Sequence, residues 1–552
     1  MSNVLLIASW MTPLLLAPFM LMRHRRWLPI VAAIPAMLTV LLVPTDQTFS
    51  LSWLLLGSHF GIDEIAKWLL FASAIAWCMA SLYAMGVKTS LSFYIFFLMA
   101  MSGNFLLILA NDMVTFYLGF ALMGLSASGL IASNFAQKNK KVVSLYLKWT
   151  IAGEVVLFSA IVLLAGHSGN LKFEAINLQD IDDYILILIV LGFGIKIALP
   201  GLHLWLPSTY ASLPIAGAAV FSGPMINAGL LGLIRFLSPG DSPQLVIGQI
   251  LIVMGGVGVI YGVVFGLVQS RAVFALAYSS ISKMGVLASV LGVAMIYPVH
   301  AQMLILALVL YAVHHLLIKS ALFLAIGLLE QGIARIWLIT GSLLLCMALA
   351  GFPFTSGALA KSELVQAMSD DMPLFVTGLS IAAIFSLLLI GRIFYLFLAI
   401  KPEASVHNRA GIIAWTILVA IIICSPIFIM QQGSLLSGLL PLLSTTAFIF
   451  LISYYKPKFI TRWVGSVPPG DMLYPVSFII KNMVYAMSSV LALYVLRLKK
   501  FSNSNYEKIL NYSINSLSNL ASHSLSWRSA GIVWLVIAVL VFMVLMIGVN
   551  VI

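Results

Sequence analysis

Long apolar segments follow one another along almost the whole chain. Hydrophobic residues make up 62% of the 552 residues and charged residues only 8%, so one water-excluded core cannot bury them all. Nearly every window of about 20 residues is apolar enough to cross a bilayer as a helix. The sequence therefore predicts an all-α polytopic membrane protein.

The apolar windows predict about sixteen transmembrane helices. They lie near residues 3–22, 28–44, 63–86, 91–109, 112–134, 142–165, 184–205, 210–236, 245–268, 272–296, 300–328, 336–368, 373–399, 410–430, 437–455 and 530–550. Segment 475–496 is flanked by basic residues on both sides and carries polar residues at helical spacing. We expect residues 456–528 to lie along the cytoplasmic surface before a final helix within 529–552.

Basic residues cluster in alternate loops, as expected for the cytoplasmic side of an inner membrane in a prokaryote. This pattern places both termini outside, and it assigns the net charge of +12 to membrane orientation rather than to nucleic-acid binding. The opposite loops are mainly acidic, with Lys172 as the main exception. Their acidic residues are Asp46, Asp63, Asp112, Glu174, Asp180, Asp182 and Asp183.

Several ionisable residues fall within or beside the apolar segments. A charged side chain at the centre of a bilayer costs about 2.5–3.5 kcal/mol on insertion scales, so such residues are candidates for function. The set comprises Glu154, Lys196, Lys283, His314, His315, Lys319 and Lys361. We interpret them as candidate carriers of an ion.

The predicted helix 336–368 is too long for one straight crossing and contains Gly351, Pro353 and Gly357. Proline and glycine there predict a broken helix, whose exposed backbone is tolerated only beside protein or a water-filled cavity. Lys361 follows this break directly. The combination resembles the ion sites that transporters build at interrupted helices.

No cofactor or metal site is predicted in this chain. Cys78, Cys346 and Cys424 lack the paired spacing of zinc or iron-sulfur ligands. The glycines of GGVGVIYGVVFG do not follow a strand, so they do not form a nucleotide fingerprint, and their spacing of four is typical of closely packed membrane helices. No redox or hydrolytic site emerges, and whether the chain belongs to an enzyme stays open.

Four blocks carry a resemblance to a known family: GIKIALPGLHLWLPSTYASLP, LAYSSISKMGV, HHLLIKSALFLAIG and AGFPFTSGALAKSEL. In this order they resemble the antiporter-like subunits of respiratory complex I, Mrp-type cation/proton antiporters and membrane-bound hydrogenases. The resemblance covers roughly residues 48–400. It implies two inverted five-helix repeats with broken helices, in residues 91–238 and 239–400, between N-terminal helices in 1–90 and additional helices in 401–455.

The resemblance also implies a row of proton-carrying residues at mid-membrane. The lysines of the two broken helices correspond to Lys196 and Lys361, and an HxxxK pair corresponds to His315 and Lys319. Residues four apart share one helix face, so a proton could pass between this pair. His203, His314 and Glu363 are secondary candidates, with His203 equally explained by a structural role in its turn.

Three positions depart from the family pattern. Where complex I subunits carry a glutamate in the fifth span, this chain has Phe120 and Ala121, and we propose Glu154 as the substitute partner of Lys196. Many relatives carry a lysine where this chain has Asn227. Lys283 occupies a position that is usually glutamine, which suggests that the lysine has moved to the neighbouring helix.

The sequence thus favours a proton-translocating or cation/proton-exchanging subunit of a multi-subunit complex, with other membrane subunits, the lipid bilayer, protons and Na⁺ as expected partners. The absent glutamate and the phrase INAG also resemble the membrane subunit of the Dab inorganic-carbon system. This alternative implies ion-coupled bicarbonate or CO₂ uptake with a soluble zinc carbonic-anhydrase-like partner. A scaffold that has lost conduction is the third hypothesis.

Overall fold

The structure is a computed structural model, and it describes residues 1–21, 26–54, 56–134, 139–240, 242–368, 372–402 and 408–429. The predictions for residues 437–455, 456–528 and 529–552, including the surface helix 475–496, lie outside the described residues. The described part is built almost entirely from helices.

The N-terminal region contains helices α1 (Ser2–Leu16), α2 (Leu28–Leu42) and α3 (Glu64–Met85). Between α2 and α3, strands β1 (Gln47–Leu51) and β2 (Ser58–Ile62) form an antiparallel hairpin. The sequence did not predict this hairpin. Residues 49–53, FSLSW, do alternate between apolar and polar as a half-buried strand does, and this signal was missed.

The remaining helices follow in chain order. They are α4 (Leu91–Leu109), α5 (Met113–Ala132), α6 (Asn139–Ser168), α7 (Asp183–Lys196), α8 (Leu206–Ser212), α9 (Ile215–Val220), α10 (Ile226–Leu237), α11 (Leu245–Leu267), α12 (Ala272–Ile296), α13 (Pro298–Glu330), α14 (Arg335–Ala350), α15 (Ser356–Ala367), α16 (Pro373–Leu398) and α17 (Arg409–Ile429). A π-helical turn, Phe221–Met225, joins α9 to α10.

Eleven helices in the described ranges are long and apolar enough to cross a membrane. The short apolar α2 and two broken helices, α7 with α8 and α14 with α15, account for the other spans predicted before residue 430. The all-α membrane fold is confirmed. One boundary was wrong, because the predicted helix 184–205 in fact stops at Lys196, where the backbone turns before α8.

The same order of helices occurs twice along the chain. Two closely packed helices are followed by a long helix and a broken helix, first as α4, α5, α6 and α7–α8, and again as α11, α12, α13 and α14–α15. This recurrence is what the predicted repeats require. The inverted relation of the repeats stays a prediction.

Glycines bring α11 and α12 into close contact. A Cβ atom at Gly262 would lie 2.6 Å from the backbone nitrogen of Ser282, and one at Gly285 would lie 2.5 Å from the carbonyl oxygen of Gly255. Lipid supplies no hydrophobic force between helices, so close backbone packing is a main source of their association. The predicted packing role of this glycine series is confirmed at Gly262.

The acidic loops meet at one end of the helices. Asp63 caps α3 by accepting a bond from the backbone of Ala66, and both of its oxygens accept bonds from Arg235, at 2.5 and 2.8 Å. Asp112 caps α5 and also accepts a bond from the backbone of His59 in the hairpin. These two carboxylates therefore tie the N-terminal region to the helices that follow.

The Asp63 to Arg235 pair predicts a pH-dependent contribution to stability. Burial raises the pKa of Asp63, but the charge of Arg235 and the hydrogen bonds from Arg235 and Ala66 outweigh it, so the pKa lies below its usual value. We expect Asp63→Ala to lower the free energy of unfolding by about 1–3 kcal/mol at pH 7 through loss of the cap and the ion pair.

Because the folded-state pKa is the lower one, this contribution is complete above the ordinary carboxyl pKa of about 4 and is lost as the pH falls through the folded value. Thermal unfolding of detergent-purified protein at several pH values measures it. Glu64→Ala is the matched control, since Glu64 is the exposed neighbour. Equal melting temperatures for Asp63→Ala and the wild type at pH 7 would contradict the assignment.

Candidate functional site

The first broken helix is a capped helix end held within the protein. Ala198 adopts a left-handed conformation with φ of 60°, which ends α7 just after Lys196. The backbone nitrogen of Leu199 donates to the carbonyl of Gly194 at 2.9 Å, and the indole of Trp205 donates to the carbonyl of Ile195 at 2.9 Å. Protein groups therefore satisfy the carbonyls that the break frees.

Lys196, the last residue of α7, is 6% exposed. Its ammonium lies 5.4 Å from the ring centroid of Phe221, 5.8 Å from that of Phe120 and 6.0 Å from that of Tyr146. The negative faces of aromatic rings stabilise a desolvated cation. Phe120, the residue before Ala121, where the family glutamate is absent, thus supplies a ring to this cation.

Glu154 lies on α6, 7% exposed, against Gly124 of α5. A Cβ atom at Gly124 would be 2.8 Å from its Oε1, so the glycine makes room for the carboxylate. Glu154 and Lys196 interact electrostatically, but they are not among the ion pairs within 4.0 Å in the described residues. The role of Glu154 as partner of Lys196 stays a prediction.

Tyr146 lies near both charges. Its ring centroid is 6.0 Å from the Lys196 ammonium, and its hydroxyl donates to the carbonyl of Gly124 at 3.1 Å. A Cβ atom at the same glycine would approach the Glu154 carboxylate. The tyrosine is fully buried, and its ring helps to stabilise the desolvated Lys196 cation.

His203 connects the first break to the helices that follow. Its Nε2 and the hydroxyl of Tyr261 on α11 share a hydrogen bond of 2.9 Å. The ring of Tyr261 in turn lies 6.3 Å from that of Tyr278 on α12. The residue predicted as either a turn-holder or a proton carrier thus reaches from the predicted first repeat into the second.

Lys319 is fully buried on α13, and its charge is directed at α12. Its ammonium donates to the carbonyl of Leu276 at 2.7 Å and to the hydroxyl of Ser279. His315 lies one turn earlier and interacts electrostatically with Lys319. The two do not hydrogen-bond to each other, and neither ring nitrogen of His315 has a partner among the described residues.

Lys283 is the electrostatic centre of the second group. Its ammonium donates to the hydroxyl of Tyr311 at 2.8 Å. Its charge acts on four neighbours, namely His314, His315, Lys319 and Lys361. The lysine that departs from the family pattern therefore joins the HxxxK pair to the lysine of the second broken helix.

A small cavity is lined by Lys283, His314 and Lys361, among other residues. Its volume is about 20 Å³, enough for one water-sized group. His314 shares a hydrogen bond of 2.9 Å with the hydroxyl of Ser356 at the start of α15. Glu363 lies half-buried on α15 and is not part of the cavity wall.

The second break repeats the capping pattern of the first. Gly351 is left-handed with φ of 82°, and the backbone nitrogen of Phe352 donates to the carbonyl of Met347 at 3.1 Å. Thr355 then caps α15 by accepting a bond from the backbone of Ala358. Lys196 lies before its break, whereas Lys361 lies ten residues after Gly351, so the two lysines belong to opposite half-helices of their broken helices.

Asn227 has a structural hydrogen bond where many relatives carry a lysine. Its amide donates to the carbonyl of Gly223 at 2.8 Å, inside the π-helical turn that contains Pro224. Ser320 of α13 donates to the carbonyl of Ala219 at 3.0 Å in the same region. Side chains thus supply bonds that the regular helix lacks around this proline.

The structure brings the predicted residues into two groups, Glu154 with Lys196 and Lys283 with His314, His315, Lys319 and Lys361. Sequence reasoning missed the aromatic and hydroxyl groups that hold them. These are Tyr146, Trp205, Phe221, Tyr261, Ser279 and Tyr311. Only Tyr311 carried a usable signal, since it precedes His314 by three residues and therefore shares its helix face.

Comparison with known proteins gives one family. The family model of the NADH:quinone oxidoreductase/Mrp antiporter transmembrane region matches residues 110–386, which is half of the chain. The chain is 26% identical over 370 residues to an Na⁺/H⁺ antiporter subunit of Bacillus subtilis, covering 61% of this chain and 73% of that one. An uncharacterised protein of Mycobacterium tuberculosis is 27% identical over 289 residues, with 48% of this chain and 45% of that protein covered.

The chain therefore spans less than half the length of that mycobacterial relative. Among solved structures, the Mrp complex from Dietzia sp. DQ12-45-1b matches with a TM-score of 0.70 at 18% identity, over 89% of this chain and 63% of the matched chain. Respiratory complex I from Thermus thermophilus matches with a TM-score of 0.67 at 18% identity, over 77% and 95% of the respective chains. These structures share the fold of this chain.

The two glycines of the second break differ in how strongly an added methyl group should disturb the structure. A Cβ atom at Gly351 meets nothing closer than 3.7 Å, whereas one at Gly357 would collide with the carbonyl of Ala348 and lie 3.0 Å from His314. We expect Gly351→Ala to cost about 1–2 kcal/mol of stability, for the left-handed conformation alone. Gly357→Ala should prevent α15 from packing and lower the yield of folded protein.

Thermal unfolding and size-exclusion profiles in detergent distinguish the two variants. Ala198, which has the equivalent conformation in the first break, shows that the fold tolerates alanine there. A Gly357→Ala protein as stable as Gly351→Ala would be inconsistent with the close approach of α15 to α14.

Proposed function

Because the chain belongs to the NADH:quinone oxidoreductase/Mrp antiporter transmembrane family, we propose that it is the ion-translocating subunit of a multi-subunit membrane complex. It moves protons, or exchanges them for Na⁺, along the buried row from Glu154 and Lys196 to Lys361. Other membrane subunits of a prokaryotic inner membrane are its partners. Redox chemistry or an ion gradient handled by those partners supplies the driving force.

One observation supports this proposal most strongly. Lys283 interacts electrostatically with His314, His315, Lys319 and Lys361, although the four come from two different helices. Closely spaced buried cations repel one another strongly at low dielectric, so protonation of one opposes protonation of the next. Such coupling is what passes a proton from group to group.

The proposed route takes the residues in one order. Glu154 and Lys196 form the first station, where a change in the charge of one alters the proton affinity of the other. His203, bonded to Tyr261, lies between this station and α12. Ser279, next to Tyr278 in the chain, holds Lys319, from which the row continues through His315 and Lys283 to Lys361.

Tyrosine and serine hydroxyls suit this arrangement because each can donate and accept a hydrogen bond at the same time. Tyr261 and Tyr311 therefore give the neighbouring histidine and lysine a partner in either protonation state. The two broken helices place the end stations beside interruptions of the backbone, where a small shift would change which groups touch. We infer that this shift gates transfer.

We also propose that both termini lie outside the membrane, that Na⁺ is the exchanged ion and that a soluble peripheral enzyme is among the partners. The inorganic-carbon alternative, with a carbonic-anhydrase-like zinc partner, rests on the resemblance at Ala121 and INAG alone and stays a prediction.

Removal of single lysines tests the row. Lys196→Ala or Lys319→Ala should lower coupled ion transport at least about tenfold, because each removes a station that no neighbour replaces. Transport is followed with a pH-sensitive dye in membrane vesicles that contain the assembled complex. Lys148→Ala is the matched control, since Lys148 is a half-buried lysine of α6 outside the row. Wild-type rates in both row variants would refute the proposed route.

The contact between Gly124 and Glu154 tests the first station. Glu154→Gln removes the charge, and Gly124→Ala displaces the carboxylate, so both should slow transport by about tenfold or more while the complex stays assembled. Gly256→Ala is the control, because a Cβ atom at Gly256 meets nothing within 4 Å. A normal rate for Glu154→Gln would instead assign the partner carboxylate to another protein of the complex.

A further inference from the structure

The cavity beside the second break carries an imbalance of charge that proton transfer does not explain. Lys283 and Lys361 both line it, together with His314 and Tyr311. No carboxylate of the described residues lines the cavity or forms an ion pair with either lysine. The first station differs, because Glu154 accompanies Lys196 there.

Two cations beside one small cavity are costly without a counter-charge. Buried charges in proteins are normally paired, since the desolvation penalty is several kcal/mol per ion. Lys283 is 5% exposed, and Tyr311 is its one hydrogen-bond partner in the described part of the chain. An ammonium group has three donors, so two N–H groups remain for another acceptor.

The backbone around the cavity adds positive potential. The cavity wall includes Gly357 in the first turn of α15, a helix of 12 residues whose N-terminal end opens at the break. Helix N-termini carry a partial positive charge, and the half-helices of transporters direct it at anionic groups. This end therefore adds to the two lysines instead of opposing them.

Tyr311 completes the donor set. Its hydroxyl oxygen accepts the bond from Lys283, which leaves its own proton free to donate to a further acceptor. His314 is bonded to Ser356 through Nδ1, so its other ring nitrogen can serve the cavity in either role. The groups at the cavity are all hydrogen-bond donors: the lysine ammonium, the tyrosine hydroxyl and the N-terminus of α15.

We propose that this cavity, between Lys283, Tyr311 and Lys361, binds one small monovalent inorganic anion. The volume of about 20 Å³ fits a water-sized group and thus an anion of halide size. The bound anion balances the charge that the two lysines carry. The site follows from the charges around the cavity and does not depend on whether the chain transports protons.

Direct binding tests the proposal with chloride as the probe. Full-length protein, purified with its native partner subunits into nanodiscs, is titrated with radioactive chloride in gluconate buffer by scintillation proximity. We expect saturable binding near one chloride per chain. Lys283→Gln and Lys361→Gln should each weaken it by about tenfold, since each removes a charge next to the anion. Lys148→Gln is the matched control and should bind as the wild type does.

A second variant guards against misfolding of Lys283→Gln. Tyr311→Phe keeps the ring and removes only the hydroxyl, so it should fold and weaken chloride binding by about threefold to tenfold. Melting temperatures in gluconate, where the site is empty, should be equal for the wild type and Tyr311→Phe within about 2 °C. Chloride should then raise the melting temperature of the wild type more than that of the variant.

Competition identifies the anion that the site prefers. Displacement of chloride by bromide supports the site, whereas displacement by bicarbonate or nitrate, which are too large for a cavity of about 20 Å³, overturns it. Absence of saturable binding, or equal binding in Lys283→Gln and Lys361→Gln and the wild type, overturns the proposal and implies that one lysine is neutral. Cross-linking of Lys361 to a carboxylate of a partner protein, with no chloride bound in the complex, overturns it as well. Neither result depends on measured transport.

Discussion

The need to satisfy polar groups inside the membrane governs this structure. Lipid offers no hydrogen bonds, so each broken helix must end in groups that the protein itself supplies. Both breaks use the same solution, a left-handed residue at Ala198 or Gly351 and a bond back across the last turn. Of the candidate lysines, Lys196 and Lys361 lie near these breaks, whereas Lys283 and Lys319 lie on unbroken helices.

The two halves of the ion row handle charge differently. Around Lys196, aromatic rings face the cation and the Glu154 carboxylate interacts with it. Around Lys283 and Lys361, the described residues that line the cavity include no carboxylate. In the proposed function, Glu154 on α6 takes the place of the fifth-span carboxylate, and Lys283 on α12 takes the place of the lysine absent at Asn227.

Much of the fold and of the candidate site could be predicted from the sequence. The helix count before residue 430, the second break and the buried ionisable residues all follow from hydropathy and from glycine and proline positions. The first break was placed too late, because GIKIALPGLHLWLP is apolar throughout and its turn depends on the conformation of Ala198, for which alanine gives no signal. The hairpin before α3 was missed although residues 49–53 alternate as a strand does, and its contacts with Asp112 and Ala110 come from a distant part of the chain.

The sequence by itself determined the class of protein, the family and the identities of the candidate ion carriers, because charge in lipid is so costly that its placement is informative alone. Only the tertiary structure decided which carriers are neighbours. The ionisable residues around Lys283 come from α12, α13 and α15. Tyr311 and Ser279 become hydrogen-bond partners of Lys283 and Lys319 only because helix packing brings them together. Distances between helices depend on glycines and side-chain shapes far apart in the chain, and no local pattern contains them.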